Sequence, residues 1–389
     1  MDVKQIAPII NTITREVIGE EAVIVQEDLS NIVEVGQQIL SNNNWYDNYV
    51  RILPDMVGRM VFVNRVYRGT APDIAVDGWE FGSIMAKYNS SMPEAIETES
   101  WKLENGASYD QGIFYQPKAE TKFFNGAVTY TIPQSIAKRQ VKESFHGAYE
   151  MNAFFEMLYN EIDKSMTVKL DALKMRTINN LIAVTIADGV GTDYDTTSTR
   201  AVNLLALYNA EFSSDTPLTA AEAMTNKNFI RYAVYKMGDY KDMMKQMSTL
   251  FNIGGTQKFT PPEMLKTVLY SPFVRAAGVY LYDGEGQFRN ENLGFGEFDS
   301  VPAWQAITSM DPTDRSTINV RTSEGDEVEC SGILGIMFDR DAAVVCNQER
   351  EVEAAPYNAV GSFQNYYHKW KCSYLNDFNE NAVVFFIHD

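Results

Sequence analysis

The chain has 389 residues, enough for a buried core and two or three domains, and with 45% hydrophobic and 22% charged residues it is not a disordered chain. Thirty-three Lys and Arg against 52 Asp and Glu give a net charge of −19, which over the molecule as a whole repels phosphate backbones and anionic lipid and argues against sequence-reading DNA binding. Cys330, Cys346 and Cys372 are too few and too dispersed for a disulfide framework or a zinc cluster, and read as reduced core thiols.

The N-terminus, MDVKQIAPII, has no basic segment followed by an apolar one, and no stretch approaches the roughly 18 apolar residues of a membrane span. The chain is expected to fold in a cytoplasm, with no membrane partner. Ile6, Ile9, Ile10, Ile13 and Val17 recur at helical spacing, and after Asp28 so do Leu29, Ile32, Val33, Ile39 and Leu40, which predicts two amphipathic helices. Asn42, Asn43 and Asn44 break the pattern, and an aromatic patch from Trp45 to Tyr49 leads to Pro54 and Gly58. Residues 1–57 read as an N-terminal arm.

From Met60 the texture is β: MVFVNRVY, WEFGSIMAKY, GIFYQP, then KFF and AVTYTI on either side of Asn125-Gly126, a two-residue hairpin signal. Met92 to Asp110 is polar and holds Pro93 and Asn105-Gly106. Residues 58–135 therefore read as a long two-stranded β ribbon, too thin to be stable alone. Residues 58–142 carry ten basic and nine acidic side chains, leaving −20 on the remainder. A near-neutral excursion on an acidic body suits packing onto copies of the same chain, and the same balance fits a solvated hairpin.

Phe154, Leu158, Ile162, Met166, Leu170, Leu173, Ile178 and Leu181 mark one long helix from about Ser144 to Ile186, free of proline until Asp188-Gly189 stops it. Roughly 40 residues make a strut on the order of 60 Å long. Its heptad-like stripe also fits a coiled-coil seam. Helical segments follow at Ala201 to Ala210 and Asn226 to Leu250, the second with Phe229, Ile230, Ala233, Val234 and the methionines Met237, Met244 and Met247 as core filling. Pro261-Pro262 opens an α/β stretch: the strand TVLYS, then FVRAAG, then a Gly-rich segment from Gly278 to Gly296. Strands GILGIMF and AAVVC come next, and NYYHKWKCSYL, a turn and AVVFFIHD close the chain as a hairpin or meander.

No constellation carries chemistry. His146, His368 and His388 have no HxxxH or HxxE neighbour and read as structural. Asp188, Asp193 and Asp195 lack the EF-hand order that closes on a Glu at position 12, and read as an acidic turn. Gly284-Glu285-Gly286 lacks the third glycine and strand-to-helix context of a dinucleotide fingerprint, and neither a P-loop nor a nucleophile elbow occurs. Asp339 with Asp341, and Glu97 with Glu99, have the composition of a glycosidase pair, but 52 acids produce such pairs by chance. No catalytic, cofactor-binding or metal-binding residue is assigned, no cofactor is expected, and the chain reads as a non-enzyme.

The order of these segments resembles the major capsid proteins of tailed bacteriophages, whose α+β fold is the Hong Kong 97 capsid fold. From Gly332 to Ile387, GILGIMFDRDAAVV, the acidic connector EREVEAAPYN, QNYYHKWKCSYL and AVVFFI are similar to the family's closing pattern, and KTVLYSPFVRAAG is similar to its axial strand-then-helix. The resemblance implies an N-terminal arm at 1–57, an extended loop at 58–135, a peripheral domain with the spine helix at 136–189 and 353–389, and an inserted axial domain at 190–352. It further implies hexamers and pentamers tiling an icosahedral shell around packaged double-stranded DNA in the virion, after assembly in the bacterial host cytoplasm. In such a shell each extended loop lies across a neighbouring subunit, the N-terminal arms lash adjacent subunits, and an acidic inner wall does not grip the genome. Some relatives carry a removable N-terminal scaffolding region; nothing before Ile6 fits one, so a separate scaffolding protein is expected, with a portal and decoration proteins as further partners. Some relatives join a loop lysine to a neighbour's asparagine; Lys87, Lys102, Lys118 and Lys122 sit in the loop here and read as ordinary surface charges, with no crosslink carried over. An encapsulin-like compartment shell and an acidic hydrolase with converging carboxylates are the alternative readings.

Overall fold

The computed structural model describes residues 3–19, 22–42, 44–53, 71–77, 85–90, 92–93, 104–107, 119–212, 216–280, 296–305, 314–321 and 327–389, with a few single positions between them. Helices α1 (Val3–Ile18), α2 (Ile32–Leu40) and α3 (residues 44–53) come first, then strands β1 (Ala75–Asp77), β2 (Met85–Ser90), β3 (Ala119–Phe124) and β4 (Ala127–Ala137). The short helix α4 (Lys138–Ser144) and the long helix α5 (Ala148–Gly189) follow, then β5 (Ala201–Asn203), α6 (Leu204–Phe212), α7 (Ala220–Ala223) and α8 (Lys227–Met244). After β6 (Leu265–Tyr270), α9 (Ser271–Tyr280), β7 (Asp299–Val301), β8 (Ile318–Arg321) and β9 (Glu327–Cys330), the chain ends with β10 (Ile333–Asp339), β11 (Ala343–Ala354), β12 (Phe363–Asn376) and β13 (Ala382–Phe386). The predicted strand MVFVNRVY and the Gly284-Glu285-Gly286 segment lie outside the described residues; of GIFYQP only Gly112, Phe114 and Gln116 are described, and none of them is in a strand.

The 42-residue α5 is the predicted long helix, about 60 Å from end to end. At its described positions the apolar stripe is covered by the same chain and is not left as a coiled-coil seam. Met151 and Phe154 near its start join Ile6, Ile10 and Ile13 of α1, Val35 and Ile39 of α2, Tyr49 and Leu53 of α3, and Tyr366 of β12 in one core. Val33, read from spacing as part of that apolar face, is exposed. In the second half of α5, Leu170, Leu173, Ile178, Leu181, Ile182 and Ile186 are buried in the core that joins the two main sheets. The N-terminal segment is thus folded back on the foot of α5 as a helical cluster.

One main sheet has the order β1-β11-β12-β4, the other β5-β13-β10-β6-β7. The second is covered on both faces. Leu334 and Met337 of β10 and Val383 and Phe385 of β13 meet α6, α8 and α9, while Ile336, Phe338, Val384 and Phe386 meet the core under α5. Strands covered on both sides read as unbroken apolar runs, hence GILGIMF and AVVFF. Gly332, at φ +73°, starts β10 where an added Cβ would stand 2.1 Å from the Ile387 carbonyl oxygen, so the turn requires glycine.

Three sequence expectations are corrected here. Asn125-Gly126 does not close a hairpin: β3 pairs with β2, while β4 pairs with β12 from Ala127 opposite Ser373. The glycine is needed for a close approach, since a Cβ on Gly126 would lie 2.8 Å from the Tyr374 carbonyl oxygen. Likewise β12 and β13 are no hairpin or meander; each enters a different sheet, and so do β10 and β11. Residues 190–352 and 353–389 are therefore interleaved, with β11 from Ala343 paired to β12, and β13 placed between β5 and β10 where its apolar faces are both covered. Met237 and Met244 do fill the core, but Met247 is half exposed.

His368 of β12 is 4% exposed, on the strand face that carries Tyr366 and Cys372, and burial followed by the nearby Arg350 charge pushes it down to about 4. The folded chain holds it neutral where the unfolded chain takes up a proton near pH 6.5. Its contribution is then complete above about pH 6.5 and is lost as pH falls toward 4. Denaturant unfolding of the unassembled chain is expected to show about 2.5 kcal/mol less stability at roughly pH 4.5 than at pH 7 from this group, and His368→Gln is expected to remove that difference.

Candidate functional site

The sequence NDFNEN carries the chain from β12 to β13, and Asp, Asn and Glu at such density favour side-chain-closed turns. Asp377 accepts from the Asn379 amide at 3.1 Å, and its own amide donates to the Ala342 carbonyl at 2.9 Å. The Phe378 carbonyl accepts from the amides of Ile253 and Gly254 at 3.0 and 3.1 Å, and the Asn381 carbonyl accepts from Asp339 at 2.8 Å. Asn381 donates to Thr260 at 3.2 Å. Asp377, Asn379, Glu380 and Asn381 are all buried, so this connector is a polar hub where both sheets and the 251–260 loop meet.

Buried carboxylates need partners, and the β2–β3 ribbon supplies them. Lys87 of β2 lies 2.9 Å from Asp377 and 2.7 Å from Glu380; Lys122, opposite it on β3, lies 3.3 Å from Asp377. Lys258 reaches Glu380 at 2.9 Å and Asn89 of β2 also at 2.9 Å. Phe124 extends the same ribbon face onto Val344, Cys346 and Leu375, on the far side of the first sheet from α5. A cleft of about 410 Å³ lies between the ribbon and the loop, lined by Ser90, Glu120, Thr249 and Thr256 among others.

Burial alone would raise Asp377, but the ion-paired Lys87, the Asn379 amide and Lys122 together hold it below the usual carboxylate range. Burial would lower Lys87, and Glu380 and Asp377 outweigh it, so the ammonium is held above its ordinary value. A protonated amine has no free lone pair for nucleophilic attack, and with its pKa raised it gives up its proton poorly at neutral pH, so the pairing suits fastening the ribbon to the body. Lys87 and Lys122 are accordingly not the ordinary surface charges the sequence reading made them, while Lys102 and Lys118 lie outside the described residues.

The opposite ribbon face is bare. Pleating turns Tyr88, Ser90, Thr121 and Phe123 away from the hub, and Tyr88 and Phe123 are 79% and 67% exposed. The ribbon therefore has one charged, body-facing side and one aromatic, solvent-facing side.

The remaining sequence candidates are scattered. Asp339 is buried and raised chiefly by burial, and it accepts from the Asp341 amide at 3.0 Å, so this pair closes a turn; Glu97 and Glu99 lie outside the described residues. Asp188 pairs with Arg200, Asp195 meets His388 at 2.9 Å, and the His146 ring nitrogen lies 3.1 Å from the Glu143 carbonyl oxygen. Cys330, Cys346 and Cys372 are buried and form no disulfide, with burial pushing Cys330 and Cys372 up to about 12. Among the described residues no three His, Cys, Asp or Glu converge on a metal position, and no helix is long and apolar enough to cross a membrane.

Residues 10–386 match the family model described as Phi29-like phage major capsid protein. Among solved structures, the chain is similar to the capsid of Staphylococcus phage Andhra, with a TM-score of 0.51 and 10% identity over 84% of this chain and 86% of that one. Weaker likenesses are with a structure of the head fiber and inner core protein of bacteriophage P68, at a TM-score of 0.46 with 9% identity over 83% and 86%, and with the capsid of Cyanophage P-SCSP1u, at 0.44 with 10% identity over 84% and 90%. At such identity the Andhra likeness shows the fold alone. No curated protein matches the chain.

Proposed function

Because the chain belongs to the Phi29-like phage major capsid protein family, we propose that it builds its shell in the Hong Kong 97 manner. It is a structural major capsid protein and belongs in the virion. In the proposed architecture residues 1–57 are the N-terminal arm, the β2–β3 ribbon within 58–135 the extended loop, α5 the spine helix, the β1-β11-β12-β4 sheet the peripheral domain, and the β5-β13-β10-β6-β7 sheet with α6, α8 and α9 the axial domain. Hexamers and pentamers close an icosahedral shell around double-stranded DNA, with assembly in the host cytoplasm on a separate scaffolding protein and around a portal. The family match over residues 10–386 carries this reading.

Mechanistically, each subunit lays the aromatic side of its ribbon, with Tyr88 and Phe123, on a neighbouring copy. A modest area repeated at every subunit then sums to a stable closed shell. The net charge of −19 keeps the wall from gripping DNA. Native mass by light scattering, with negative-stain microscopy and with and without a co-expressed scaffolding candidate, tests the proposal. Megadalton shells or capsomer rings are expected; a persistent monomer of 43.9 kDa under both conditions overturns it.

A further inference from the structure

We propose that Lys87 is the positioning residue of the ribbon: clamped between Asp377 and Glu380, it fixes the direction in which β2 and β3 leave the body. The inference builds on the self-assembly reading above, and it rests on where the described residues of the ribbon are tied to the body. β3 continues into β4 through Asn125-Gly126, where no hairpin ladder forms, so the ribbon leaves the sheet at a corner, and a two-stranded ribbon is marginal without outside contacts. Phe124 and Lys122 hold β3 close to that corner. On the other strand Lys87, level with Lys122, meets both buried carboxylates, and farther out Asn89 accepts from Lys258. Ties on both strands resist rotation of the ribbon where ties on one strand alone do not, and of those on β2 only Lys87 is ion-paired to the hub.

The charges make this brace selective. Asp377 and Glu380 are 3% and 8% exposed at their side chains and are faced by Lys87, Lys122 and Lys258, with the carboxylate of Asp339 beside Glu380. Swinging the ribbon away would strip the hub of two of its three ammonium groups and leave buried carboxylates unpaired. With the brace in place, Tyr88 and Phe123 point in one direction, and a second copy meets them preassembled. Its loss would leave the aromatic face intact but free to wander, so assembly would pay the ordering entropy at each contact.

Hydrogen exchange on the unassembled full chain at neutral pH tests this. In Lys87→Gln, amides of 85–90 and 119–124 are expected to exchange at least tenfold faster, with α5 and β10 unchanged. Lys87→Arg is expected to keep them near the unsubstituted rate. Glu380→Gln, which preserves shape and removes one of the two charges Lys87 meets, is expected to speed them about threefold and serves if Lys87→Gln does not fold. Unchanged ribbon exchange in Lys87→Gln and Glu380→Gln overturns the proposal, as does equal acceleration in α5 and β10, which would make Lys87 an ordinary stability residue. So does Lys87→Arg behaving like Lys87→Gln. Because this readout needs no shell, a failed brace and a failed assembly reading are told apart by the native-mass measurement.

Discussion

Trp304→Ala is expected to bring the subunit close to unfolding. Trp304 is fully buried, its indole N–H donates to the Ile333 carbonyl at 3.0 Å, and its own carbonyl accepts from Asn179 of α5 at 2.6 Å. The side chain thus stands between the long helix and the first residue of the central strand β10. Truncation leaves a cavity, at about 3–5 kcal/mol, and an unpaired buried carbonyl, at about 1–3 kcal/mol. Against a total stability of about 5–15 kcal/mol, little remains. Trp304→Phe separates the two effects, since it fills most of the volume and loses the hydrogen bond. Denaturant unfolding of the unassembled chains should rank unsubstituted, Trp304→Phe and Trp304→Ala in that order; an alanine variant within about 1 kcal/mol of the unsubstituted chain would be inconsistent with this packing, given the usual cost of such cavities.

The second expectation separates folding from assembly. Tyr88→Ser with Phe123→Ser should leave monomer stability within about 0.5 kcal/mol, because both side chains already face solvent. Assembly should suffer heavily. Truncating a buried aromatic anchor typically costs about 2–4 kcal/mol at an interface, so losing two raises the concentration needed for assembly by on the order of a thousandfold or more. Sedimentation of the double variant against the unsubstituted chain reads this directly. Shells forming at the unsubstituted concentration would place the essential contact elsewhere.

What the sequence revealed and what it concealed divide along contact range. Helix α5 was legible because local rules sufficed: apolar spacing, no proline, and a glycine stop. GILGIMF and AVVFF were legible as strands because they are unbroken apolar runs, but that both faces are covered, and that AVVFF leaves its sequence neighbour for another sheet, depends on contacts far along the chain. Asn125-Gly126 misled because its local signal is the same for a hairpin turn and for a corner; β12, far along the chain, decides between them. The hub was invisible for the same reason. Asp377 and Glu380 are two of 52 acids, and what distinguishes them is a lysine such as Lys122, 255 positions away. The one available signal was the density of Asx residues in NDFNEN between two apolar strands, which marks a tight turn and says nothing of burial.

The interleaving of the two sheets bears on synthesis at the ribosome. The long edge strand β4 must wait for β12, and β5 and β10 for β13, so neither sheet can close until the last strands have emerged. Until then β4 and β5 lack their partners and β10 has only β6, so apolar strand edges stay open, the condition in which chains stick to one another. Premature association of nascent subunits is therefore a hazard built into the strand order. The same order makes the two sheets complete almost together, so that a subunit able to present a finished surface is one whose core has already closed.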